Sequence, residues 1–83
     1  DAYLILGRNQ EENNILNTFS HKGKILEALN APSPTGLLIN GNDEKLASSI
    51  LLGYTKLKKG KVLIVDKQEK RTINVIAMPK MES

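Results

Sequence analysis

The stretch NDEKLASSILLGYTKLKKGKVLIVD, from Asn42 to Asp66, decides the fold. It reads as a helix that runs into a strand through a lysine-rich turn. Asn42 suits a helix cap, because its side-chain oxygen accepts from the free N–H groups of a first turn. Asp43 and Glu44 then stand at the positive end of the helix dipole. Leu46, Ala47, Ile50, Leu51, Tyr54 and Leu57 recur at three- and four-residue spacing and predict one apolar stripe. Lys56, Lys58 and Lys59 are expected at or just past the helix end, with Gly60 as the stop. Val62, Leu63, Ile64 and Val65 follow at once as a buried β-branched strand.

Working outward, Ala2–Leu6 reads as a first strand ended by Gly7. Residues 11–19 read as a short helix with Ile15, Leu16 and Phe19 as its apolar face and Glu11 and Glu12 in its first turn. Lys24–Leu29 reads as a second strand, although its mix of alanine and leucine leaves a helical reading open. Pro32 and Pro34 fix a stiff, extended loop. Leu37–Ile39 is a short buried strand, and Asn40-Gly41 is a turn. Lys67-Gln68-Glu69 is expected to close a hairpin onto residues 71–78, where Ile73 and Val75 alternate with Thr72 and Asn74 and leave one wet face. The expectation is one small α+β domain in the order βαββαββ, a mixed sheet with two helices, ending in a loose tail over 79–83.

Composition bounds the rest. The chain has 83 residues, 40% of them hydrophobic and 25% charged, which is the composition of one small folded domain and not of a disordered segment. No apolar run approaches the roughly 20 residues of a membrane span. There is no cysteine, hence no disulfide framework or thiolate metal site, and this favours a cytoplasmic setting. A start at Asp1 that enters a strand almost at once leads us to expect a domain excised from the C-terminal part of a larger protein.

The net charge of +3 is unevenly distributed. Between Thr55 and Arg71 stand seven positive residues (Lys56, Lys58, Lys59, Lys61, Lys67, Lys70, Arg71) against two acids (Asp66, Glu69). Such a patch suits a phosphate backbone, although from charge alone a solvated rim is the plainer reading. Catalytic chemistry finds little support. His21 is the one histidine and has no partner at ligand spacing. The acids pair at helix starts, and no serine, histidine and acid can be grouped. Three features stand out: Gly7-Arg8-Asn9 after a strand, the loop Pro32-Ser33-Pro34-Thr35-Gly36, and Tyr54 among lysines, where core packing is the plainer reading of the ring.

These features, in this order, resemble the NFACT-R domain. The closer likeness is to the variant at the C-terminus of PP-loop tRNA thiouridine synthases. Gly7-Arg8-Asn9 with Glu12-Asn13, then Pro32-Ser33-Pro34-Thr35-Gly36-Leu37-Leu38, then Ala47 to Tyr54-Thr55-Lys56, follow its pattern. Ser33 and Gly36 stand where the variant has glycine and alanine. The resemblance implies RNA binding, tRNA above all, for an ATP-dependent tRNA sulfurtransferase whose catalytic domain lies in cis. No PP-loop signature occurs here, so no catalytic residue, cofactor or metal is expected in these residues. It implicates Arg8, Asn9, Ser33, Thr35, Tyr54 and Lys56. Charge adds Lys58, Lys59, Lys61 and Arg71. With one phenylalanine and two tyrosines, stacking along single-stranded bases is not expected to dominate. The alternative reading is a protein-interaction domain that docks on or dimerises its parent enzyme, pairing through residues 24–29 or 71–78 as exposed sheet edges.

Overall fold

The computed structural model describes residues 2–79. Strand β1 spans Tyr3–Leu6, helix α1 Gln10–Thr18, β2 Lys24–Ala28, β3 Thr35–Ile39, α2 Glu44–Leu52, β4 Lys59–Asp66 and β5 Glu69–Ile76. The βαββαββ order of the sequence reading is the observed one. Residues 80–83 of the expected tail lie outside the described residues.

The five strands form one sheet in the order β1-β3-β2-β4-β5. Every adjacent pair is antiparallel, which corrects the expected mixed sheet. A strand–helix–strand pattern suggests parallel neighbours. Here a third strand enters each time: β3 lies between β1 and β2, and β2 lies between β3 and β4. Strand β2 is therefore central, and residues 24–29 are not a free edge. The edges are β1 and β5.

Strand alternation sends successive residues to opposite faces. Leu26 and Ala28 of β2, Leu38 of β3, Val62 and Ile64 of β4 and Val75 of β5 bury against Ala47, Leu51 and Leu52 of α2. Leu4 and Leu6 of β1 flank that core. Ile25 and Leu37 point the other way and meet Leu16 of α1. The two helices thus lie on opposite faces. Helix α2 packs on β2, β3, β4 and β5, whereas α1 sits over β3. The β4–β5 part of the α1 face is left without a helix.

Helix α2 is shorter than the sequence reading. Its cap is Asp43, whose carboxylate accepts from Leu46 N–H at 3.1 Å, and not Asn42. It ends at Leu52. The Thr55 hydroxyl donates to the Leu52 carbonyl at 2.7 Å and accepts from Leu57 N–H at 3.0 Å, folding the chain out of the helix. The buried stripe is therefore Ala47, Ser48, Leu51 and Leu52, while Leu46 is 45% exposed. Lys59 and Gly60 belong to β4 and not to a helix end.

Glu44 locks the start of α2 to the sheet. Its carboxylate takes a two-pronged contact from Arg71 of β5, at 2.8 and 2.6 Å, and Lys24 Nζ of β2 at 2.8 Å. These hydrogen bonds, Arg71 first, hold the Glu44 carboxyl down to about 2. A carboxyl lowered on folding contributes stability that is full above its unfolded pKa and lost as pH falls through the folded one. We therefore expect stability to decline between about pH 5 and pH 2, by about 1–2 kcal/mol after solvent screening. Glu44→Gln should remove that part of the pH dependence in urea titrations. An unchanged pH profile would mean that the triad contributes nothing.

Candidate nucleic-acid interface

The first motif is built on close approach. Gly7 ends β1, and a Cβ there would stand 2.2 Å from Asn13 Oδ1. That oxygen accepts from Thr35 N–H at 3.1 Å, and Gly7 N–H donates to the Thr35 carbonyl at 2.9 Å. The end of β1, the first turn of α1 and the start of β3 are thereby laced together. Asn9 caps α1, its side chain accepting from Glu12 N–H at 2.9 Å. Glu12 reaches back to accept at 2.7 Å from the N–H of Arg8, one residue before the cap. In this motif Arg8 and Asn9 are both exposed, and the Arg8 side chain is 86% exposed. Its guanidinium touches Glu12 at a long 3.3 Å. The Arg8 backbone N–H and then its side chain hold the Glu12 carboxyl below its usual range.

The proline loop is equally fixed. The Ser33 hydroxyl accepts from Ala28 N–H at 3.2 Å and donates to the Pro34 carbonyl at 3.0 Å. Asn30 turns the chain in the left-handed region, at φ 68°. Thr35 is buried at 4% exposure, paired with Glu27 of β2. It is thus removed from the solvent-facing set that the sequence suggested: its hydroxyl looked like a loop group but lies inside the sheet. Asn9 caps α1 from an exposed position, and Ser33 closes the loop while lining the groove beside it.

Tyr54 corrects a second expectation. The stripe that would have buried it stops with the helix at Leu52, and the ring is 47% exposed. It lines an open groove of about 480 Å³ together with Arg8 and Pro32, Ser33 and Pro34. The three sequence features thus meet in one place. The floor of the groove is Leu6, Gly7 and Asn13.

The lysines divide by strand geometry. Lys56 and Lys58 are exposed on the connector from α2 to β4. Lys59 and Lys61 are exposed on β4, opposite Ile76 and Asn74 of β5 in the register. Cross-strand partners share a face, so these four residues lie together on the face that α1 leaves open. A second open groove, about 660 Å³, draws on both sides of the sheet: Lys45 and Ser49 of α2 line it together with Lys59, Lys61, Asn30 and Asn74. The loop from Asn30 to Pro34 stands between the two grooves, Asn30 on one and Pro32 on the other. Arg71 does not join them. It lies on the α2 face beside Ile64 and is held by Glu44, which removes it from the cations free to meet a phosphate.

Sequence reasoning missed Lys45, Asn74 and Ile76. The alternation of residues 72–76 carried the signal for Asn74, whereas Lys45 needed the tertiary placement of α2. Among the described residues no three His, Cys, Asp or Glu side chains gather as a metal site. No described helix is long and apolar enough to cross a membrane.

Comparison with curated proteins and with solved structures finds no match. A family model does match, described as the NFACT protein RNA binding domain, over residues 1–83. A half-exposed groove between two conformationally fixed loops, beside a lysine-lined open sheet face, is a surface suited to that class of ligand. The chain belongs to the family of NFACT protein RNA-binding domains.

Proposed function

We propose that this domain binds structured RNA, tRNA foremost, for a linked cytoplasmic tRNA-thiolating enzyme of the PP-loop type. The observation that carries this reading is the meeting of Arg8, the Pro32–Pro34 turn and Tyr54 on one groove beside the lysine-lined one. Lysine contacts to phosphates supply affinity and make it fall with salt. Affinity of the domain alone is expected in the micromolar range or weaker, and linkage to a catalytic domain raises the effective concentration. Adenylation and sulfur transfer belong to that other domain. This one presents the RNA.

Titration of the isotope-labelled chain with bulk tRNA at low and moderate salt tests the reading. Amide shifts are expected at Arg8–Asn9, Ser33–Gly36 and Tyr54–Lys61, weakening as salt rises. An absence of shifts at low salt would make the lysines a solvated rim. A second reading, docking on the parent enzyme, is favoured by Ile5 and Ile15, which are 44% and 50% exposed around one shallow pocket. Shifts at β1 and α1 on adding the catalytic domain, with none on adding tRNA, would put that reading first.

A further inference from the structure

We infer that the groove between Arg8, Pro32 and Tyr54 takes one unpaired nucleotide, its base stacked on the Tyr54 ring. This rests on the RNA-binding reading and specifies its mode. The described residues extend over 29 × 27 × 24 Å, so an A-form duplex is comparable in width to the domain and can only lie across its surface. A groove of about 480 Å³ is instead the size of a site for one small molecule.

The chemistry of the walls fits a base. Tyr54 is a half-exposed aromatic residue on this groove, and every base has a π-face that can stack on an aromatic side chain. Pro32 is exposed on the same groove and offers an apolar ring. Arg8 carries a planar guanidinium that can stack on a base or fork to a phosphate. Its contact with Glu12 is long and exposed, and so is readily exchanged.

The backbone beneath Tyr54, the proline loop and the floor is also held before any ligand arrives. Tyr54 N–H donates to the Leu51 carbonyl at 3.0 Å, and Gly53 just before it lies against the Met78 carbonyl. Ser33 closes the proline loop, and Asn13 ties the floor to β3. A prearranged groove loses less entropy on binding. The phosphates flanking the inserted base have partners in the lysine-lined groove across the Asn30–Pro34 loop. The low aromatic content argues against stacking along a run of bases. One ring at one groove suffices for one base.

The sequence supplies its own probe. It contains two tyrosines and no tryptophan, so in a Tyr3→Phe variant the tyrosine emission comes from Tyr54 alone. Hexaadenylate and hexauridylate should quench that emission, whereas a blunt RNA duplex should bind with little quenching. Tyr54→Ala, at an exposed position and checked for an unchanged urea midpoint, should weaken hexanucleotide binding about ten-fold. Tyr54→Phe should bind as the parent does. Duplex affinity should not move in either variant. Equal quenching by duplex and single strand, or hexanucleotide binding unaltered by Tyr54→Ala, would overturn the stacked nucleotide while salt-sensitive RNA binding stood. Failure of every RNA to bind at low salt would overturn both.

Discussion

Replacing Lys56, Lys58, Lys59 and Lys61 together by glutamine should flatten the salt dependence of RNA binding. If each meets one phosphate, the slope of log affinity against log salt becomes shallower by about 3. Raising salt from about 50 to 200 mM should then weaken the parent chain about fifty-fold more than the variant. The fold should survive, because all four side chains are exposed and none takes part in an ion pair among the described residues. Arg71→Gln is the matching control. Its guanidinium is held by Glu44, so the substitution should lower stability and leave the salt slope unchanged. Filter binding across a salt series checks both. A slope unaltered in the quadruple variant would remove the lysine face from the interface.

Gly53→Ala should destabilise the domain by about 2–3 kcal/mol, and here two effects compete. The backbone at Gly53, φ −63° and ψ −16°, is one that alanine adopts easily. By itself that change would stabilise by about 0.4–1 kcal/mol through the unfolded chain. The new Cβ, however, would stand 2.1 Å from the Met78 carbonyl oxygen, a backbone atom that cannot swing aside. Relief requires moving residues 77–79 and breaking the Met78 N–H bond to the Ser49 carbonyl, 3.0 Å long. The steric term wins. A lower urea midpoint is the expected result, and a chain stopped after Ala77 should show the opposite sign. Stabilisation in the complete chain would mean that the contact with Met78 yields freely. Since Gly53 immediately precedes Tyr54, the clash should also disturb the groove.

Much of the fold was legible because it is written in local periodicity. The alternation of Ile73 and Val75 with Thr72 and Asn74 gave β5 its wet face, and Glu11 and Glu12 marked the start of α1. The length of α2 was not legible. Its stripe continues in sequence through Tyr54 and Leu57, but the helix is ended by the Thr55 hydroxyl and by Met78 packing on Gly53, and the second of these is a long-range contact. The antiparallel sheet was hidden for the same reason. Which strand slips between two others is set by the pairing of remote segments, and no local pattern reports it.

The candidate site divides along the same line. Arg8, the proline loop and Tyr54 were recognisable as unusual, and the structure brings them together. A count of charges cannot tell Lys61 from Arg71, because the partner that holds Arg71 lies 27 residues away. Thr35 shows the converse. A residue in a recognisable motif can be buried in the frame, at 4% exposure.

The interleaving of the strands has a consequence for how the chain is made. Leu6 pairs with Gly36, and Ile25 with Val65, so each half of the sequence completes its sheet with strands from beyond its own helix. Hairpins β2–β3 and β4–β5 are the sequence-adjacent pairings, and a lone hairpin is marginal in water. A nascent chain emerging from the ribosome therefore holds an unfinished first half until β4 arrives and closes the core over α2. Folding should then proceed in one late, cooperative step on the millisecond-to-second scale of non-local pairing. Nicking the chain at Asn40–Asn42 should yield two fragments that fold only when mixed.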